Sequence, residues 1–330
     1  MKNITKIDNH FSRMKTEKNY GIDFTYSLIE NIKSNKSAIE KRTTSMQGRR
    51  SIKKQWQAAW LLKAITLLDL TTLSGDDSPS KVERLCFKAK NPLRQDLVSQ
   101  FGFERNEINV AAVCVYHSLI GSACKKLLNT NIPVAAVSAG FPAGLSPLET
   151  RLKEISLSIR NGAKEIDIVI DRSNIFKGDW RAIYEEVKSF KEICRNIKLK
   201  AIIATGDIST FKNIYRASMV CMMAGADFIK TSTGKEATNA TLPVSLVMVR
   251  AIRDYFDITG YKVGFKAAGG ISTSKDSLSY MILIKEELGN DWLNPNLFRI
   301  GASSLLSDIE RQLEHHITGR YSSFNRHSMC

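Results

Sequence analysis

From residue 65 onward, short runs rich in valine and isoleucine alternate with longer stretches of helical periodicity, and few folds accommodate that alternation. The expected strands are ITLLDL (65–70), INVAAVCVY (108–116), PVAAVSAG (133–140), EIDIVI (165–170), KAIIATG (200–206), DFIKTST (227–233), VGFKAAGG (263–270) and LFRIGASS (297–304), each preceding a helix-like stretch. In SPLETRLKEISLSIRNG, Ser146 and Glu149 have capping-box spacing and Gly162 sits where a helix would stop. In DWRAIYEEVKSFKEICRN, Ile183, Val187 and Phe190 recur on one face. Eight such units without a domain-sized insertion predict an α/β chain folded as a (β/α)8 TIM barrel over residues 61–321. An open doubly wound sheet is the runner-up. It lacks support because no GxGxxG follows the first strand and polar residues recur at many strand ends rather than at one switch point.

Residues 1–60 stand outside the repeat as a basic, helical N-terminal extension. They carry 13 Lys or Arg against 5 Asp or Glu, so +8 of the chain's +15 sits there. A solvated surface accounts for that excess, and a weak polyanion contact is the sharper reading. TYSLIENIKS and SIKKQWQAAWLLKAI are expected helices, with Trp56, Trp60 and Leu61 capping the barrel floor or a partner, and KRTTSMQGRRS is an expected loop. Residues 322–330 are an expected flexible tail. Cys86, Cys114, Cys124, Cys194, Cys221 and Cys330 form no CxxC pair, which suits reduced thiols. No apolar run reaches the roughly 18 residues of a membrane span, and MKNITKIDNHFSRMK lacks a signal-peptide core. Together these features predict a soluble, cytoplasmic protein.

A barrel places its active site at the C-terminal ends of the strands, where burying a lysine without purpose costs several kcal/mol. Lys230, in DFIKTSTG, and Lys266, in VGFKAAGG, lie in consecutive strands at matching depth, each followed by small residues. One such lysine alone would read as pointing outward with a solvated head; two together read as a functional pair. At about 6 Å and an effective dielectric of about 20, one ammonium disfavours its neighbour by roughly 3 kcal/mol, or about two pKa units, and partial desolvation adds to this. The product is an amine able to form an imine. Asp167 lies between Ile166 and Ile168 and should point into the barrel, as should Asp69 in LLDLTTL. Both suit proton relay and hydroxyl binding, with a structural salt bridge or helix cap as the plainer reading. Asp171 reads as a loop residue. Gly269, Gly270, Gly301, Ser303 and Ser304 close strands seven and eight, and Ser232, Thr233 and Gly234 follow strand six. These could surround one phosphate with N–H and O–H donors.

LLDLTTLSGDD, GAKEIDIVI, AGADFIKTSTGKEATNAT, VGFKAAGGI and FRIGASSLL together resemble the deoxyribose-phosphate aldolases, a class I aldolase family, over residues 62–321. The N-terminal extension and HHITGRYSSF resemble its longer animal members. The resemblance implies reversible cleavage of 2-deoxy-D-ribose 5-phosphate to D-glyceraldehyde 3-phosphate and acetaldehyde, with a phosphorylated small-molecule substrate and no cofactor. It implies that Lys230 forms the Schiff base, Lys266 tunes it and Asp167 relays protons. Asp69 and Thr71 would orient substrate, and Lys235, Gly234, Gly269, Gly270, Ser303 and Ser304 would hold phosphate. Cys114 matches a pocket-lining cysteine, with a buried apolar thiol as the equal alternative. Ala267 and Ser272 stand where the family usually has proline and arginine, which should loosen the turn after Lys266 and remove a cation near the phosphate. The chain ends in SMC, so a C-terminal tyrosine's proton-transfer role is not carried over, although Tyr321 remains nearby in sequence.

A metal-dependent aldolase would need histidines grouped at strand ends, and His10, His117, His315, His316 and His327 are not so placed, so no metal site is expected. A barrel phosphosugar isomerase or synthase could share the phosphate site but would not need the lysine pair. A scaffold or RNA-binding role through the basic extension is the non-enzyme alternative. Nucleic acid is not the expected primary partner, no membrane association is expected, and a homo-oligomer is open.

Overall fold

The computed structural model describes residues 18–49, 52–104, 107–208 and 210–327. Eight parallel strands close into a barrel in sequence order: β1 (Leu68–Thr71), β2 (Ala112–Tyr116), β3 (Val134–Ser138), β4 (Glu165–Val169), β5 (Lys198–Ile202), β6 (Phe228–Lys230), β7 (Gly264–Ala268) and β8 (Phe298–Ala302). β1 pairs with both β2 and β8, so no edge remains exposed. Side chains alternate between the faces of each strand. Ile166 and Ile168 therefore join the apolar layer under the helices, and Asp167 turns into the barrel.

All eight expected strands are present, but most are shorter than the apolar runs suggest. ITLLDL begins too early, because Ile65 is the last residue of helix Lys54–Ile65 and pairing starts at Leu68. β6 stops at Lys230, and the following residues form the loop that faces the site. Helix Leu148–Arg160 ends before Gly162, as expected, but its N-cap is Pro147 and the Ser146–Glu149 capping box does not form. Helix Trp180–Cys194 buries Ile183, Val187 and Phe190 completely. Asp171 caps helix Arg172–Lys177 by accepting from the Ser173 amide.

The N-terminal part departs further from the sequence expectation. Helix Ser27–Glu30 is short, whereas the basic link expected as a loop is mostly inside helix Lys36–Arg49. Ile39, Thr43 and Met46 of that helix are buried, and Arg42 bonds Glu286 and Glu287 of helix Ser274–Leu288. Helix Lys54–Ile65 packs on helices Ser274–Leu288 and Leu305–Thr318 in the outer layer instead of capping the floor. Trp60 lies under the Lys285 ammonium, Leu61 is buried, and Trp56 is exposed. At the other terminus, Phe324–His327 forms a 3-10 turn docked on helix Leu305–Thr318, with His327 buried 2.7 Å from Glu314. Cys330 lies outside the described residues, and no disulfide joins the other five cysteines. Among the described residues, no helix is long and apolar enough to cross a membrane.

Candidate active site

Lys230 and Lys266 are register partners on β6 and β7, so the closed sheet holds their side chains at one level inside the barrel. Both are essentially inaccessible, and both ammonium groups reach the same oxygen, Asp167 Oδ2, at 2.9 and 2.8 Å. Their nitrogens are therefore no farther apart than the sum of those two contacts, close enough to repel. Lys266 also lies 2.6 Å from Asp69 Oδ2.

Three further buried charges complete this network and were not singled out from sequence. Lys200 on β5 lies 2.7 Å from Asp167 Oδ1, 2.6 Å from Glu165 and 3.5 Å from Asp69. Arg299 on β8 bonds Glu165 with Nη2 at 2.9 Å. Glu165 is two residues before Asp167 on the same strand, so period-two alternation from Asp167 would have pointed it inward. Among the described residues, the barrel interior thus holds four cations (Lys200, Lys230, Lys266, Arg299) against three carboxylates (Asp69, Glu165, Asp167).

Burial divides these groups by how well each is paired. Burial pushes the Lys230 ammonium below its ordinary value; Asp167 opposes that shift and Lys266 reinforces it. Desolvation is therefore the leading cause and the neighbouring ammonium an addition to it, which reverses the weights expected from sequence. Burial acts in the same direction on Lys266 and Lys200, but the carboxylates around each outweigh it and raise both. Burial alone would raise the Asp167 carboxyl, yet Lys200, Lys230 and Lys266 hold it well below the usual carboxylate range. Asp69 is likewise driven to about 2 by Lys266 and Lys200 against its own desolvation.

Above the network opens a cavity of about 410 Å³ lined by Thr71, Lys230, Thr233, Gly234, Lys235, Gly269, Gly270, Ser303 and Ser304, all singled out in the sequence. Lys81, from the helix after β1, and Ser272 also line it. Lys230 is the one lysine of the buried network on this wall. Gly269 and Gly270 both have positive φ, 85° and 79°, and a Cβ on Gly269 would stand 2.6 Å from that of Asn239. Only glycine turns the chain there and lets the backbone approach the cavity.

Other residues singled out in the sequence take up places away from the open cavity or already have partners. Asp69 points into the barrel as expected and is fully buried beneath the cavity; it holds Lys266, and its Oδ1 has no hydrogen-bond partner. Cys114 takes the second of its two readings, a buried thiol packed with Leu73, Ala135 and Val137, and burial pushes it up to about 11, so it is neutral. The Thr233 amide and hydroxyl and the Gly234 amide already bind an anion of the chain itself, the Glu236 carboxylate, at 2.9 to 3.1 Å. Ala267 is not in a turn: β7 continues through Ala268 with Ala267 paired to Ile300, so losing proline loosens nothing there. Tyr321 is exposed and stacked on His315, away from the cavity lining.

Residues 63–309 match the profile of the DeoC/LacD family aldolase. The chain belongs to that aldolase family. The aldolase is 55% identical over 309 residues to the deoxyribose-phosphate aldolase of Homo sapiens, covering 93% of this chain and 97% of the relative. It is likewise 55% identical over 307 residues to that of Mus musculus, covering 92% and 96%. The tetrameric deoxyribose phosphate aldolase from Aeropyrum pernix superposes with a TM-score of 0.58 at 19% identity, over 87% of this aldolase and all of that chain, a likeness of fold.

Proposed function

We infer that this aldolase reversibly cleaves 2-deoxy-D-ribose 5-phosphate to D-glyceraldehyde 3-phosphate and acetaldehyde through an imine on Lys230. The observation that carries the reading is that, of the three described lysines buried inside the barrel, Lys230 alone lines the cavity, and it alone ends below its ordinary pKa because burial is not outweighed by its carboxylate. A neutral Lys230 Nζ adds to C1 of the open-chain sugar, and loss of water leaves the imine. The 3-hydroxyl then passes its proton to the Asp167 relay, the C2–C3 bond breaks, and its electron pair passes into the protonated imine to form a neutral enamine. Glyceraldehyde 3-phosphate departs, C2 takes a proton back from the relay to restore the protonated imine, and water hydrolyses it to release acetaldehyde and Lys230.

Asp167 is the proton relay in this proposal, because it touches both amines and so connects Lys230 to the Lys266 ammonium. The 5-phosphate is assigned to Lys235, Gly269, Gly270, Ser303 and Ser304 at the opposite rim, next to the start of helix Leu305–Thr318. Thr233 and Gly234 join them once Glu236 lets go. Thr71 faces the sugar. The proposal extends to work in the cytoplasm, in keeping with five described cysteines that form no disulfide, and to a homo-oligomer, which sedimentation would check.

A phosphosugar isomerase would use the same rim without an amine. Aldehyde release from deoxyribose 5-phosphate by the intact chain and by Lys230→Ala separates the two. The reading expects loss of release in the variant, and equal release from both would overturn it.

A further inference from the structure

Four buried cations face three buried carboxylates, and a net charge enclosed in a dry interior costs several kcal/mol. The interior is balanced when one cation gives up its proton. A guanidinium keeps its charge at any ordinary pH, which leaves the choice among the three lysines. Lys200 lies on three carboxylates, at 2.6, 2.7 and 3.5 Å, and Lys266 on two, at 2.6 and 2.8 Å. Lys230 has one, at 2.9 Å, and that carboxylate is shared with both other lysines. Lys230 is therefore the least-held proton of the set.

We propose that Lys200 is a positioning residue for the imine-forming step: it meets no substrate, but by claiming the charge of Asp167 it leaves Lys230 as the surplus cation. The inference rests on the imine reading above. With Lys200 present, the interior is neutral when Lys230 is a free amine. Without it, three cations and three carboxylates remain, and the interior is neutral when Lys230 is protonated. Glu165 has the opposite sense, since removing its charge adds to the positive surplus and disfavours the Lys230 ammonium further. Lys230 is faced by Asp167 from β4, Lys266 from β7 and Cys114 from β2; Asp69 from β1 and Arg299 from β8 stand behind Lys266 and Glu165. Every one of these is unchanged in the comparison that follows.

The test is reductive trapping of acetaldehyde by cyanoborohydride on the full chain, followed across pH. Lys200→Met is expected to move the midpoint of adduct formation to higher pH by about one to three units, so that trapping at pH 7 falls roughly ten- to thousandfold. Glu165→Gln moves the midpoint to lower pH, the two changes in one chain return it toward the unsubstituted value, and Lys200→Arg leaves it in place. A merely structural role would lower the adduct at every pH without moving the midpoint. If Lys200→Met does not fold, Glu165→Gln decides alone, and an unmoved or higher midpoint there overturns the inference. No adduct in the unsubstituted chain removes the imine reading and this inference with it; an adduct whose midpoint neither substitution moves overturns the inference alone.

Discussion

Asp167→Asn should uncouple imine formation from turnover. The carboxylate lies 2.9 Å from Lys230, and an opposite charge at that distance in an effective dielectric of about 20 is worth roughly 6 kcal/mol, a ceiling of about four pKa units. Asparagine keeps a polar oxygen at the same place, so a fall of about one to three units in the Lys230 midpoint is the working expectation. Lowering the pKa of an amine that must be neutral to react favours attack, so trapping with acetaldehyde should survive and begin at lower pH. Turnover of deoxyribose 5-phosphate should instead drop by about 10²- to 10⁴-fold, because the relay between the amines is gone. Stability falls too, by about 3–5 kcal/mol, since Lys200 and Lys266 each lose a buried partner. The assay pairs adduct mass with aldehyde release on protein shown to be folded by circular dichroism. A folded variant that no longer traps acetaldehyde at any pH would refute the reasoning.

Two further predictions concern stability. A methyl group on Gly264 would meet the ring of Phe228 at 2.4 to 2.5 Å, and that ring is buried beside Arg299, so Gly264→Ala should cost about 1–3 kcal/mol in a urea titration; an unchanged midpoint would contradict the packing described. Burial raises Glu310 to about 7 despite Lys88 at 2.5 Å, so the folded state holds its proton more tightly than the unfolded state does. Its contribution to stability is complete below about pH 4.5 and is lost as pH rises through about 7. Urea midpoints at pH 5 and pH 8 should therefore drop more in the unsubstituted chain than in Glu310→Gln, and parallel drops would count against it.

Much of this architecture can be read in the sequence because a parallel barrel imposes a repeating apolar period and puts its chemistry at strand ends. Lys230 and Lys266 stood out because each interrupts an apolar strand and is followed by small residues. Lys200, Glu165 and Arg299 did not, since each sits at or near a strand's polar start, where a charged residue ordinarily reads as solvated. Their partners come from other strands, and no local pattern announces such partners. The same limit hid Glu236, whose carboxylate folds back onto donors two and three residues earlier. Helix Lys36–Arg49 was missed for a different reason: its basic, glycine-containing sequence has weak propensity, and packing of Ile39 and Met46 with the Arg42 pairs on Glu286 and Glu287 decides the conformation.

The decisive measurement is peptide mapping after acetaldehyde and borohydride are added to the intact chain. The account predicts one two-carbon adduct, on Lys230. An adduct on Lys266 or Lys200 instead, or none on the barrel lysines while aldehyde release continues, would contradict it.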